Sequence, residues 1–147
     1  MSFRFALAPL LRLRQSIERQ RTLQLQEANL RVSRAQETLA QLERYLSDSA
    51  QSDAAALISG RTAGALQFAS VLRENLHRFR QDLQSDIRKL QLARQQAASE
   101  YHQAYREREV LETLRARQRR AYQQEQLRRQ QQELDAAHLL QRWHHRN

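Results

Sequence analysis

The stretch Gln51-Ser52-Asp53-Ala54-Ala55-Ala56-Leu57-Ile58-Ser59-Gly60-Arg61-Thr62-Ala63-Gly64 decides how this chain folds. It holds both glycines of the 147-residue sequence, together with Ser52, Asp53, Ser59 and Thr62, and it follows Ser47-Asp48-Ser49. Residues that cap helices and tolerate turn geometry are concentrated here and scarce elsewhere. The only proline, Pro9, stands near the start, where a first helical turn accepts it because its missing N–H had no partner. One start and one break are therefore marked. The expected fold is all-α: a single elongated antiparallel two-helix coiled-coil hairpin over residues 1–147, with a longer second helix. Arm one spans about 8–50, the connector about 51–64 and arm two about 65–142.

Composition agrees with long helices. There are 25 Lys+Arg against 16 Asp+Glu, a formal charge of +9, 40% hydrophobic residues and no Cys. Lys89 is the only lysine, and Arg, Gln, Leu, Ala and Glu, all strong helix formers, dominate. Folds built on many tight turns, Gly-rich phosphate loops, disulfides or Cys-ligated metals drop out together. The longest apolar run, Phe5-Ala6-Leu7-Ala8-Pro9-Leu10-Leu11, is bracketed by Arg4, Arg12 and Arg14. It falls far short of the ~18 apolar residues of a membrane helix. A secretory signal would carry small residues after it, where this chain has Leu-Arg-Leu-Arg. The acid-poor, Arg-rich start resembles an amphipathic transit peptide, but the helical pattern runs straight through any cleavage site. A cytoplasmic location is expected.

The apolar spacing outward from the break supplies the pairing. In arm one, Leu25, Ala28, Val32, Ala35, Leu39, Leu42 and Leu46 recur at alternating intervals of three and four, a coiled-coil seam. Upstream the pattern drifts through Arg21, Ile17 and Leu10, which suggests a stutter. In arm two, Leu66, Ala69, Leu72, Leu76, Phe79, Leu83, Ile87 and Leu90 keep a similar spacing, extended by Ala97, Tyr101, Ala104, Arg108 and Leu111. A bend centred near Leu57 places Leu46 opposite Phe68, Leu42 opposite Leu72 and Leu10 opposite Ala104. The paired rod would be on the order of 60 Å long. Arm one then runs out near residue 107, which leaves about forty residues of arm two without an intramolecular partner.

That overhang has high helix propensity but little apolar stripe from Arg115 to Arg129, RARQRRAYQQEQLRR, before Leu134, Ala137, Leu140 and Trp143 resume an amphipathic spacing. A helix that buries no face frays unless something covers it. It is either a solvated tail or an element that orders against a partner, and the terminal Leu/Trp stripe favours docking. Phe3, Phe5, Leu7 and Leu10 belong to the same end of the rod, so both chain ends converge on one docking region.

No catalytic chemistry is visible. A two-helix rod has no pocket with convergent polar groups, and there is no cysteine nucleophile or Ser-containing elbow. Among His77, His102, His138, His144 and His145 no pair has the i, i+4 spacing of a helical metal site. Glu107, Glu109 and Glu112 sit among arginines, where ion pairing along a helix explains them. A non-enzyme without cofactor or metal is expected. The arginines are interleaved with Glu and Gln along both arms, as on a solvated helix surface, and the densest cluster, Arg115 to Arg120, lies after the main seam rather than before it. An acidic protein partner, or an electrostatic fit into a ring or groove, is favoured over nucleic acid.

The opening Phe3-Arg4-Phe5…Leu10-Leu11-Arg12-Leu13-Arg14, the Leu/Ala seam, the short interruption, a late Val110-Leu111-Glu112-x-Leu114 and the closing Gln132-Glu133-Leu134-Asp135 resemble the flagellar FliJ family over almost the whole chain. The resemblance implies an antiparallel helical hairpin of the type III export apparatus, shaped like the central stalk of rotary ATPases. It implies a stalk whose paired termini enter the hexameric export ATPase, with Phe3, Phe5, Leu7, Leu10, Leu134, Leu140 and Trp143 as docking residues. It also implies contact with the cytoplasmic domain of the export gate through Leu42, Tyr45, Phe68 and Leu72, handling of export chaperones, and membrane contact only peripherally, through partners at the inner membrane. Where that family can carry a second aromatic near the bend, this chain has Ser49. Leu42, Phe68 and Leu72 also fit the hairpin seam, whereas Tyr45 stands one step off it. Competing readings are an injectisome stalk of the same shape, a basic coiled-coil protein binding nucleic acid, and a self-associating scaffold.

Overall fold

The computed structural model describes residues 2–60 and 62–146; Met1, Asn147 and Arg61, which falls inside the expected connector, lie outside the described residues. Two helices make up the fold, α1 over Ala8–Ile58 and the longer α2 over Ala63–Arg146, with no strand among the described residues. The all-α hairpin class read from the sequence is the class observed. At the entry to α1 the Leu11 N–H donates to the Leu7 carbonyl at 2.9 Å and the Ala8 N–H to the Phe5 carbonyl at 3.1 Å, so Pro9 sits in the first turn, where it forfeits no bond.

The connector is shorter than the composition suggests. α1 continues through residues 51–58 because Ala54-Ala55-Ala56 favour helix more strongly than the surrounding Ser and Asp oppose it. It stops at Gly60, the one described residue with positive φ, +83°. Ser59 begins the exit: its N–H donates to the Ala55 carbonyl at 3.3 Å and its hydroxyl to the Ala56 carbonyl at 3.1 Å. A left-handed glycine just past the last helical turn is the usual helix C-terminal device. The Thr62 carbonyl then accepts from the Leu66 N–H at 3.2 Å and opens α2.

The contacts group into two compact units, Gln20–His102 and the pair Met1–Arg19 with Gln103–Asn147. In the unit Gln20–His102, the arm-one seam is as expected: Leu25, Ala28, Val32, Ala35, Leu39, Leu42 and Leu46 are all buried or half-buried, Val32 to 1% exposure. The arm-two seam differs. Arg73 and Arg80, not Leu72 and Phe79, occupy the half-buried positions between Leu66, Ala69, Leu76 and Leu83. Arg73 pairs with Asp53, Arg80 with Glu43 at 3.4 Å, and Arg21 with Glu100 at 2.8 Å. Extending α1 to Ile58 moves the bend from Leu57 to Gly60 and shifts every partner along α2. Leu42 therefore does not face Leu72, nor Leu46 Phe68.

In the other unit the same shift appears. Leu11, 3% exposed, takes the buried place expected for Leu10, which is 37% exposed, and it clusters with Phe5 and Leu111, with Phe3, Ala8 and Leu114 packed on the outside. Leu10 does not face Ala104. Upstream of Leu25 the 3–4 spacing runs on without a stutter, through Arg21, Glu18, Arg14 and Leu11. Arg14 pairs with Glu107, Arg108 with Glu18, and Gln15 donates to Glu112 at 3.1 Å. The non-helical N-terminal segment reaches further still: Phe3 and Tyr122 rings lie 5.7 Å apart. Cover of α2 therefore extends past residue 107 to Tyr122, and from residue 127 to 146 every residue is exposed.

Candidate functional site

Two surfaces emerge, one in each unit. In the unit Gln20–His102, helix positions Tyr45, Asp48, Ser49 and Ser52 face Ala65, Phe68, Ala69 and Leu72 across a shallow groove, with Asp53 on its floor. Three of the four expected gate residues, Tyr45, Phe68 and Leu72, line it together. Leu42 does not; it stays half-buried in the seam. The seam positions held by Arg73 and Arg80 explain the release of the other side chains. With the Arg73 and Arg80 side chains at the seam positions and their guanidinium groups beside Asp53 and Glu43, Phe68 (73% exposed) and Leu72 lie outside the seam. Leu57, Ile58, Val71 and Phe79 are exposed as well. Scattered apolar residues need no explanation, but aromatic side chains gathered in a groove beside polar Asp48, Ser49 and Ser52 have the make-up of a recognition surface.

The second surface belongs to the other unit. Of the seven expected docking residues, Phe5 is core, wedged against Leu11 and Leu111, and Phe3 is half-buried on Tyr122. Leu7 and Leu10 are exposed near a cleft that Phe3, Arg4, Phe5, Pro9, Leu11 and Arg115 line. Leu134, Leu140 and Trp143 are exposed on the tail. Twelve residues separate Tyr122 from Leu134, roughly 18 Å of helix, so the N-terminal and tail groups are two patches rather than one. Phe5 is buried at 9% exposure, and its packing holds the N-terminal segment against Leu11 and Leu111.

The sequence reading missed Leu139. Ala136, Leu139, Leu140 and Trp143 follow the i, i+3, i+4, i+7 rule of a single face, with Leu134 lying outside it. Listing every apolar residue of the tail on that period would have found it. Tyr122, which meets the N-terminal segment at Phe3, had no sequence signal, because that partner lies more than a hundred residues away.

Electrostatics separate the paired part of this unit from the tail. Burial works against the charge on Arg108, but its hydrogen bond to Glu18 and its attraction to Glu18, Glu109 and Glu112 outweigh that, and its pKa rises above the ordinary arginine value. The Arg108 guanidinium also lies 5.1 Å from the centre of the Tyr105 ring. On the tail, hydrogen bonds from Arg128 and Arg129 hold the half-exposed Glu125 carboxyl at about 2, below its ordinary range. No group of three His, Cys, Asp or Glu among the described residues is placed to hold a metal ion, and no helix of the described residues is long and apolar enough to cross a membrane.

No curated protein and no solved structure matches the chain. The family model described as "Flagellar FliJ protein" matches residues 3–147, nearly end to end. Its match takes in the Phe3–Phe5 opening that the fold uses as core and the seam that pairs α1 with α2. By that match the chain belongs to the FliJ family of flagellar export-associated proteins.

Proposed function

We propose that this protein is a non-enzymatic stalk of the flagellar type III export apparatus, in the cytoplasm beside the inner membrane, that links the export ATPase ring to the cytoplasmic domain of the export gate and assists export chaperones. The observation that carries this reading is the pair of separate exposed surfaces on a chain of this family: a linker needs two, and each unit supplies one. The groove of Tyr45, Phe68 and Leu72 is the gate contact, with Leu42 acting from behind as seam. The tail residues Leu134, Leu140 and Trp143, with Leu7 and Leu10, are the ATPase contact, and Phe3 and Phe5 hold the N-terminal segment in place. Seam ion pairs support a stiff connection, because a coiled coil whose register is set by matched charges resists sliding.

Deleting residues 134–147 tests the ATPase contact. Stimulation of the export ATPase should fall while the helical signal drops only by the share of the missing residues. Undiminished stimulation by the shortened chain would remove the docking role of the tail. For the gate contact, Tyr45→Ala and Phe68→Ala together should weaken capture of the gate's cytoplasmic domain without lowering the melting temperature, since both side chains are exposed.

A further inference from the structure

The seam of α2 does not end where α1 ends. Its half-buried positions in residues 66–111 alternate by three and four, through Ala97, Tyr101, Ala104, Arg108 and Leu111. The same alternation continues without a slip through Arg115, Gln118, Tyr122, Glu125, Arg129, Gln132, Ala136, Leu139 and Trp143. Burial stops even though the period does not: apart from Tyr122, which meets Phe3, and Glu125, every one of these later positions is exposed. The tail thus carries a coiled-coil spacing with no opposite strand among the described residues.

The paired portion shows what an opposite strand looks like. Seam arginines there are answered by carboxylates from the facing helix: Arg73 by Asp53, Arg80 by Glu43, Arg108 by Glu18, Arg14 by Glu107 and Arg21 by Glu100, with Arg94 the exception among the described residues. Beyond Glu112 the answers cease. Residues 113–124 hold Arg115, Arg117, Arg119 and Arg120 and no carboxylate at all. Arg129 reaches only Glu125 on its own helix and remains mostly exposed. Only past them does the seam turn apolar, at Ala136, Leu139 and Trp143.

From this continuity and charge pattern we infer that the tail binds an acidic amphipathic helix of a partner protein, which completes the seam with carboxylates opposite Arg115–Arg129 and apolar residues opposite Leu139 and Trp143. A second copy of this chain fits poorly, because pairing in register sets the arginines of 113–124 against themselves. Nucleic acid would answer the arginines but not the apolar end. The inference rests on the tail being a docking element and adds the chemistry of what it docks.

Trp143 is the only tryptophan of the chain, so its emission reports cover of the tail in the intact protein. The probe is a synthetic heptad peptide with Leu at its seam positions and Glu flanking them; the control carries Lys in place of Glu. The acidic peptide should shift Trp143 emission to the blue, saturably, with affinity at least about tenfold above the Lys peptide and falling as salt is added. Arg129→Glu and, separately, Leu139→Asp should each remove most of that response with far-UV helicity retained; Arg129 is chosen over Arg115 because it lies well clear of the N-terminal cluster. Equal binding of both peptides, a response only to random-sequence DNA duplex, or a blue shift that tracks the protein's own concentration without peptide would each overturn the inference. If the peptide is ignored while deletion of 134–147 still abolishes ATPase stimulation, the docking role stands and the acidic helix falls.

Discussion

Residues 66–111 and 115–143 of α2 carry one unbroken 3–4 spacing, but the first stretch is half-buried or buried along it and the second is exposed apart from Tyr122 and Glu125. The first meets α1, whose seam residues supply either an aliphatic side chain or an oppositely charged one. The second meets the N-terminal segment near its start, where the Phe3 ring lies against Tyr122. Spacing selects the face of a helix that is available for burial; a partner decides whether it is buried. A helix as long as α2, 84 residues, can therefore be anchored along part of its length and held by propensity and local ion pairs along the rest.

The largest test of that contrast pairs a covered leucine with a bare one. Leu11→Ala opens the cluster of Phe5 and Leu111 and should cost about 2–3 kcal/mol, read as a lowered melting temperature by circular dichroism. Leu139→Ala should stay within about 0.5 kcal/mol. Leu10→Ala sharpens the assignment further, since its neighbour holds the core place; a larger loss at Leu10 than at Leu11 would mean that the seam has been put on the wrong leucine.

A charge version follows, with a smaller effect. Arg108 and Glu18 are mostly shielded from solvent, so Arg108→Ala removes the cation that faces the Glu18 carboxylate and should cost on the order of 1–2 kcal/mol. Adding Glu18→Gln should recover part of that loss, because the shielded negative charge is then gone. Arg115→Ala, at the next position of the same spacing, should move stability by less than about 0.5 kcal/mol. Equal losses at Arg108 and Arg115 would break the distinction between paired and unpaired seam.

These two pairs also mark what was legible in the amino-acid order. The aliphatic seam Leu25–Leu46 was legible because nothing polar interrupts it. Arm two was misread at Leu72 and Phe79 because a hydrophobic count prefers them to Arg73 and Arg80, whose fitness for the seam depends on Asp53 and Glu43 lying across from them. Leu11 could not be chosen over Leu10 without knowing that Phe5 folds back onto α2. In the groove, the nearness of Tyr45 to Phe68 follows from the hairpin, but the exposure of Phe68 and Leu72 follows from the arginines beside them. The existence of a bend was plain from two glycines; its place was not, since only one of them acts as the breaker.

The glycines themselves give the next effect in size. Gly60 holds φ +83° with open space around it, so Gly60→Ala adds no clash but forces a side chain into the left-handed region, about 1 kcal/mol of destabilisation. Gly64 lies inside the first turn of α2, also with nothing near its missing Cβ, and there Gly64→Ala should stabilise by roughly 0.5 kcal/mol through helix propensity and a less mobile unfolded chain. Chemical unfolding of the two variants should shift the midpoint in opposite directions. A shift in the same direction would show that both glycines, or neither, act in the turn.

The smallest effect lies on the bare stretch itself. Glu125 accepts from Arg128 Nε and Nη2 at 2.9 Å and from Arg129 Nε at 3.1 Å, and these bonds hold its carboxyl at about 2 against an ordinary value of 4.5. A carboxyl whose folded value is depressed lends support that is complete above its ordinary value and fades as pH falls through the folded one. Helicity of residues 121–130, followed by amide chemical shifts, should thus hold steady down to about pH 4.5 and decline toward about pH 2. Glu125→Gln should lower the plateau slightly and flatten the decline at the Arg128 and Arg129 amides, while the seam amides around Val32 respond alike in both proteins. Because these ion pairs lie at the surface and salt screens them, 0.5 M NaCl should shrink the difference between the two proteins. A decline at Arg128 and Arg129 that is the same with Gln at 125 would show that the tail is held by something other than its own ion pairs, and would move the boundary between anchored and unanchored helix beyond Tyr122.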